Sequence, residues 1–398
     1  MLRRLPSHPI LLAAIAALAV IAVACGSAAQ SIDGESDDPA DEETSQEDLE
    51  TLFAQRFGST WRTDFSKHSV DLGEFISGQS KDGIPAIDDP NFVSRAEGDT
   101  FLADREPVIA FELNGDARAY PIQILIWHEI ANDTVGGVPV TVTFCPLCNS
   151  ALVFERELNG VVHDFGVSGF LRNSDLVMFD RQTETWWQQF TGEGIVGELT
   201  GTVLEVLPSS IVSWADFKTT YPDGQVLSRD TGFSRNYGRN PYTGYDSVDD
   251  NPFLFRGDVD GRLSATERVV AVELNGETVA YPFSVLEGLL VVHDSVGGEP
   301  IVVFFQPGTA SALDASTIAD SRDVGAAGVF RPKAAGQTLT FRAEGDDIVD
   351  NETGSRWNVL GKAVDGPLAG EELTPVVNGA HFWFAWAAFQ PDTRIYQG

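Results

Sequence analysis

One pattern constrains this chain before any element is named: a long stretch of it occurs twice. Residues 108–121, VIAFELNGDARAYP, return at 269–282 as VVAVELNGETVAYP. Tyr120 pairs with Tyr281, and the same offset of 161 residues carries Asp88 to Asp249, Arg95 to Arg256, Glu106 to Glu267, Gly136-Gly137 to Gly297-Gly298, Pro146 to Pro307 and Leu152 to Leu313. Self-similarity at one offset marks a structural unit used again. Farther along, Gly166 and Gly169 match Gly325 and Gly328, Trp187 matches Trp357, and WADF at 214 matches WAAF at 386. The repeated unit is therefore a whole domain. With 398 residues, 43% of them apolar, the chain is long enough for two cores. The expected division is a leader at 1–25, an acidic disordered tether at 26–60, a first repeat with its connecting segment at 61–247 and a second, degenerate repeat at 248–398.

The leader has the parts of an export signal: Arg3 and Arg4, then an apolar run over 10–24 ending in small residues at Cys25. Ala22-Val23-Ala24-Cys25-Gly26 resembles a lipobox, in which the cysteine is lipidated and becomes the new N-terminus. The competing reading is an uncleaved anchor, although a spanning helix wants about 20 apolar residues. Both readings place the body outside the cytoplasm, attached to the cell membrane. The stretch DGESDDPADEETSQEDLE at 33–50 is too polar to repay the entropy of ordering. A formal net charge of −33, with no basic run after the leader, excludes a nucleic-acid partner, which needs Lys and Arg to neutralise phosphates.

Within each repeat, strand signals dominate. The apolar run at 108–113 stops at Asn114-Gly115, a hairpin turn, and a second strand follows. Pro121 suits a helix start, with Ile122, Leu125, Ile126 and Ile130 at helical spacing. VPVTVTF alternates as a strand that ends at Cys145, a second hairpin turns at Asn159-Gly160, and residues 214–221 form an amphipathic helix. The fold class expected is α+β, strand-rich, with few short helices and two tandem copies packed together.

Chemistry gathers in the first copy. With Cys25 given to lipid, the remaining thiols are Cys145 and Cys148 in Cys145-Pro146-Leu147-Cys148, where the second copy has Gln306 and Thr309. His128 is matched by Leu289 and His163 by Arg322, so sulfur and imidazole are kept once while the fold is kept twice. Three readings follow. A redox dithiol would use His128 or His163 to deprotonate the attacking sulfur, making the chain a thiol-dependent oxidoreductase or redox-responsive protein, and this is the leading expectation. A metal site would join Cys145 and Cys148 to one or both imidazoles and would suit zinc or copper. The third is a structural pair in a non-catalytic binding or scaffold module. A sulfur pair buried under the repeat interface would favour this last. Phosphate-cradling loops, serine-nucleophile signatures and zinc-protease helices are missing from the sequence.

KDGIPAIDDPNFV at 81–93, ELNGDARAYP, TFCPLCNSA at 143–151 and SDLVMFDRQTETWWQQFTGEGIVG at 174–197 resemble domain-of-unknown-function family 3179 over residues 65–245, and more faintly over the second copy. The resemblance implies no settled activity. The family does include selenoproteins, which, if selenium falls in this motif, implies redox or nucleophilic chemistry at Cys145 and Cys148. Candidate ligand-binding residues are Arg172, Asp175, Asp180, Arg181, Trp186, Trp187 and Gln188, and in the connecting segment Arg235, Tyr237, Arg239, Tyr242 and Tyr245. The partner they would serve is a small molecule or a redox protein.

Overall fold

The opening hairpin follows from its turn residues. In the computed structural model, which describes residues 45–247 and 252–398, strands β1 (Pro107–Leu113) and β2 (Asp116–Pro121) are joined through Asn114 and Gly115, at φ +53° and +82°. Both residues tolerate that left-handed backbone, whose twist suits a two-residue hairpin. Pro121 caps α1 (Ile122–Leu125), a single helical turn. The helical spacing read through Ile130 is cut short, because Ile130 opens β3 (Ile130–Val135) and packs into the core from a strand. β4 (Val138–Cys145) and β5 (Ser150–Glu155) continue that sheet. A third sheet holds β6 (Phe165–Arg172), β7 (Asp175–Asp180), β8 (Trp186–Gln188) and β9 (Gly194–Val196). The repeat closes with β10 (Val206–Leu207) beside β5, then β11 (Ser210–Ser213) beside β1, helix α2 (Trp214–Thr220), and β12 (Gln225–Leu227) parallel to β2.

The second repeat lays down the same three sheets. β13 (Arg268–Leu274), β14 (Glu277–Pro282) and α3 (Phe283–Leu289) lead to β15 (Val291–Val296), β16 (Glu299–Gln306) and β17 (Ala326–Arg331). The third sheet is β18 (Phe341–Glu344), β19 (Asp347–Asp350), β20 (Arg356–Trp357) and β21 (Ala363–Asp365). β22 (Thr374–Pro375) pairs with β17, β23 (Asn378–Phe382) with β13, and β24 (Arg394–Ile395) runs parallel to β14, with α4 (Trp383–Phe389) between the last two. Strands predominate and helices are few and short, an α+β fold.

Matching hydrogen bonds align the repeats and correct the sequence register. Tyr120 donates to Asp133 and Tyr281 to Asp294, at 2.6 and 2.8 Å, so the offset of 161 holds there. After β16 it fails. Between β4 and β5 lie residues 146–149, whereas 307–325 separate β16 from β17. Leu152 therefore corresponds to Gly328 in β17, not to Leu313 in the inserted loop. Phe165 pairs with Asp180 as Phe341 pairs with Asp350. His163 thus stands where the second repeat has Leu339, not Arg322, and Gly166 and Gly169 have no counterparts in Gly325 and Gly328. Trp214 takes the place of Trp383, three residues before Trp386. The amides of Trp214 and Trp383 donate to Glu106 and Glu267, and their indoles to Asp99 and to the Asp260 carbonyl. Gaps placed by chain folding are invisible to an ungapped comparison of short motifs.

One apolar cluster runs through both repeats, joining Phe144, Cys148 and Trp187 to Ala271, Phe382 and Trp383. A second gathers Phe53, Trp61, Phe65, Phe75, Phe170 and Trp186. Phe53 corrects the expected tether: residues 46–57 are helical, capped by the Ser45 side chain, and Phe53 is buried with Leu49 and Phe57 packed beside it. Three apolar side chains on one helical face have an aromatic surface to cover, and their burial offsets the polarity of the opposite face. The leader and Cys25 lie outside the described residues. No helix among the described residues is long and apolar enough to cross a membrane.

Candidate metal centre

β4 delivers Cys145 at its last residue, and the short turn 146–149 returns Cys148 beside it, with Asn149 left-handed at φ +49°. The third component comes from the tip of the β6–β7 hairpin. Asn173 and Ser174 turn it at φ +53° and +62°, and Asp175 follows. One Sγ of each cysteine and a carboxylate oxygen of Asp175 all lie within 4.8 Å of one another. All three residues are buried. Both cysteines are free thiols, and Cys148 and Cys145 lie 3.5 and 3.9 Å from the Ser174 carbonyl oxygen.

Asp175 is held from one side. Its Oδ2 accepts from Gln188 Nε2 at 2.7 Å and from the Phe190 amide at 3.0 Å, while no N–H or O–H donor reaches buried Oδ1. Gln188 is oriented in turn by Arg172, whose Nη1 donates to its Oε1 at 3.3 Å. Burial pushes the Asp175 carboxyl up to about 6. Burial raises the Cys145 thiol, with the neighbouring Asp175 and Glu129 carboxylates adding to it, and raises Cys148 well above the usual thiol range. Glu129, also buried, is pushed up to about 8 by burial and then by Asp175. It takes the left-handed backbone at φ +60°, as does its counterpart Leu290 at +61°, so the turn needs the conformation and the first repeat alone adds a carboxyl. Burial also raises the hydroxyls of Tyr242 and Tyr245, whose ionisation the nearby thiols oppose further.

The site is seated, buried, on the contact between repeats, the placement expected of a structural cysteine pair rather than of an open redox cleft. The Phe382 amide donates to the Cys148 carbonyl at 2.9 Å, and Ser174 Oγ donates to the Phe253 carbonyl at 2.6 Å. The connecting segment contributes Tyr242 and Tyr245 and is itself pinned by the loop inserted in the second repeat: the Tyr245 and Gly244 amides donate to the carbonyls of Leu313 and Asp314.

The histidines are not brought to the sulfurs. Neither belongs to the group of ligand atoms around Cys145. His128, fully buried, has its Nδ1 2.7 Å from the Pro85 carbonyl and its Nε2 2.7 Å from the Tyr237 hydroxyl, so both nitrogens are occupied. His163 Nδ1 lies 3.1 Å from Asp180. Asp180 also accepts from Trp187 Nε1 and from Thr183, and the second repeat reproduces that arrangement at Asp350 with Trp357 and Thr353. Trp187 and Asp180 are thus structural. Arg235 donates to the neighbouring Ser234 carbonyl and Tyr237 is tied to His128 and Thr231. Arg181 pairs with Asp82 and Asp88. Of the candidate ligand-binding residues, Asp175, with Gln188 and Arg172 behind it, and Tyr242 and Tyr245 of the connecting segment therefore converge on the cysteines, and Asp180, Arg181, Trp187, Arg235 and Tyr237 do not. Sequence reasoning missed Glu129 and Ser174; the signal for Glu129 was the same asymmetry that singled out the cysteines, carboxyl against Leu290.

Fold and site together define a duplicated strand-rich protein with one buried Cys-Cys-Asp centre at the repeat junction. The model of the family described as "Protein of unknown function (DUF3179)" matches residues 81–393, and the chain belongs to that family. The match takes in both repeats. No curated protein and no solved structure matches the chain.

Proposed function

We propose that the chain is an extracytoplasmic metal-binding lipoprotein in which Cys145, Cys148 and Asp175 hold one zinc ion. The observation that carries this is the convergence of two cysteine sulfurs and one carboxylate oxygen of Asp175, all buried and all within 4.8 Å of one another. Burying a carboxylate costs several kcal/mol unless it is fully paired, and the thiols that hydrogen-bond Asp175 are weak donors. A cation removes that cost. Two thiolates and a carboxylate bring three negative charges, and Glu129, which keeps its proton up to about pH 8, adds none at neutral pH. Gln188 and the Phe190 amide hold Oδ2 and leave Oδ1 free to ligate, the kind of outer support that metal carboxylates show. The carboxylate favours zinc over copper(I), which takes soft ligands. Export and lipid attachment rest on Arg3, Arg4, the apolar run at 10–24 and Cys25.

A thiol-redox role draws support from the closeness of the sulfurs. Against it, burial raises both thiols, the opposite of a reactive thiolate, and neither histidine is placed as a base. Metal analysis of the purified full chain tests the reading. We expect one zinc per chain and release of about two protons on zinc uptake at pH 7, both abolished in Cys145→Ser/Cys148→Ser. Absence of zinc uptake, together with reversible closure of a Cys145–Cys148 bridge under mild oxidant, would overturn it in favour of redox chemistry.

A further inference from the structure

A cavity of about 380 Å³ lies in the second repeat, between α3, the inserted loop 307–325 and the connecting segment. The first repeat is filled at the same place. Pro107 stands there for Arg268, Gln123 for Ser284 and Ile126 for Glu287, and both Gln123 and Ile126 are buried. Gln123 Nε2 donates to Glu106 at 2.7 Å, and Arg229 closes over it, its Nε donating to Gln123 Oε1 at 2.8 Å. With serine in place of that glutamine, Glu267, the counterpart of Glu106, keeps the Ser284 amide at 3.0 Å on Oε1, and its Oε2 has no donor among the described residues. Glu287 has none either. Arg268 is 8% exposed and forms a buried part of the wall. Its Nη2 donates to Asp246 at 3.1 Å and to Ser311 at 2.8 Å, whereas Nε and Nη1 have no acceptor among the described residues and are not sealed from solvent.

We propose that this cavity binds a small α-amino acid with an apolar side chain, its carboxylate on the open nitrogens of Arg268, its ammonium on Glu267 and Glu287, and its side chain along Phe283, Pro307 and Val324. The lining calls for both charges. Arg268 and Arg322 stand against four carboxylates, Asp246, Glu267, Glu287 and Asp323, so a simple anion would be repelled on entry. A simple cation would leave the Arg268 nitrogens unpaired in a buried wall, which costs free energy. Arg322 is already engaged by Asp246 and Asp314, so the free donors are those of Arg268. A zwitterion satisfies both ends through charge-assisted hydrogen bonds, the stronger kind. The volume falls within the range of small-molecule pockets, roughly 300 to 1,000 Å³. None of these groups belongs to the Cys-Cys-Asp centre.

Leucine is the probe, with isocaproate, which lacks its ammonium, and isoamylamine, which lacks its carboxylate, as one-charge relatives. In calorimetric titration of the full-length chain, leucine is expected to bind saturably with a dissociation constant below about 1 mM, and each relative at least about tenfold more weakly. Glu287→Gln, at an exposed position, should weaken leucine about tenfold and spare isocaproate. Ser284→Gln, also at an exposed position, copies Gln123, covers the free oxygen of Glu267 and should abolish leucine binding while the protein remains folded. No saturable heat with leucine, equal affinity for leucine and either relative, or unchanged leucine binding in Ser284→Gln would each overturn the proposal. Zinc content measured on the same samples reports separately on the metal centre.

Discussion

The two repeats share three sheets, their turns and even their internal hydrogen bonds, yet they differ at one hairpin and one loop. Between the paired Phe165 and Asp180 lie 14 residues, against eight between Phe341 and Asp350. The longer β6–β7 hairpin carries a bulge around Gly169 and a tip, Asn173-Ser174-Asp175, that reaches the cysteines. Gly169 is at φ +84°, and a Cβ there would sit 2.3 Å from the Gln79 carbonyl oxygen. In the second repeat the shorter hairpin has no counterpart of Asp175, Gln306 stands for Cys145, and residues 307–325 are inserted instead. One repeat extended a hairpin to build a centre, while the other extended a loop that pins the segment covering it. A fold can be duplicated intact while chemistry is confined to the few positions where strand connections change length.

Substitutions that exchange the repeats test this. The largest effect is expected at the shared carboxylate. Asp180→Ala leaves His163, Thr183 and Trp187 Nε1 without their acceptor and should cost about 3 to 5 kcal/mol in denaturant unfolding. Asp350→Ala should cost about as much, because the Ser355 amide donates to Asp350 where the second repeat has Leu339 for the histidine; a much smaller loss would break the equivalence of the two carboxylates. Asp175→Asn should weaken zinc binding by about 100-fold in competition with a chelator, whereas Gln306→Ala, at the place of Cys145 in β16, should leave it unchanged.

Glu129→Leu, which copies Leu290, should act through pH. In the metal-free protein, Glu129 keeps its proton when folded up to about 8, whereas unfolded it ionises near 4.5. The folded state therefore binds the extra proton across that window, and stability falls by up to about 1.4 kcal/mol per pH unit as pH rises. His381, neutral when folded, opposes this only below about 6.5, so the slope between pH 6.5 and 8 is the clean readout. Thermal melts of Glu129→Leu should lose that slope; an unchanged slope would place the proton elsewhere. Smallest of all, His163→Leu, which copies Leu339, should shift stability by about 1 kcal/mol and leave zinc stoichiometry untouched.

Much of the fold was legible in the residues. Asn114-Gly115, the alternation of VPVTVTF and the strand-to-helix step at Trp214 each have a local physical cause, and each element formed where that cause lies. The one-turn helix at Ile122 was overread because strand burial also selects isoleucine, and Ile130 satisfies the core from β3. Residues 46–50 read as a tether because their own polarity hides an aromatic surface supplied by residues 61–186. At the centre, the cysteines and their loss in the second copy were visible, but their third partner was not: Asp175 lies 27 residues beyond Cys148, on another sheet. The histidines looked equally eligible in the sequence, but both nitrogens of His128 and Nδ1 of His163 are engaged elsewhere.

By itself the sequence determined that the chain is a duplicated, strand-rich protein with its cysteine pair in one copy, because repeats, turn residues and strand alternation are local and periodic. Only the tertiary structure decided which side chains meet. Convergence of Cys145, Cys148 and Asp175 depends on hairpin length and on how separate sheets close over one core, and neither is written in any short stretch of residues.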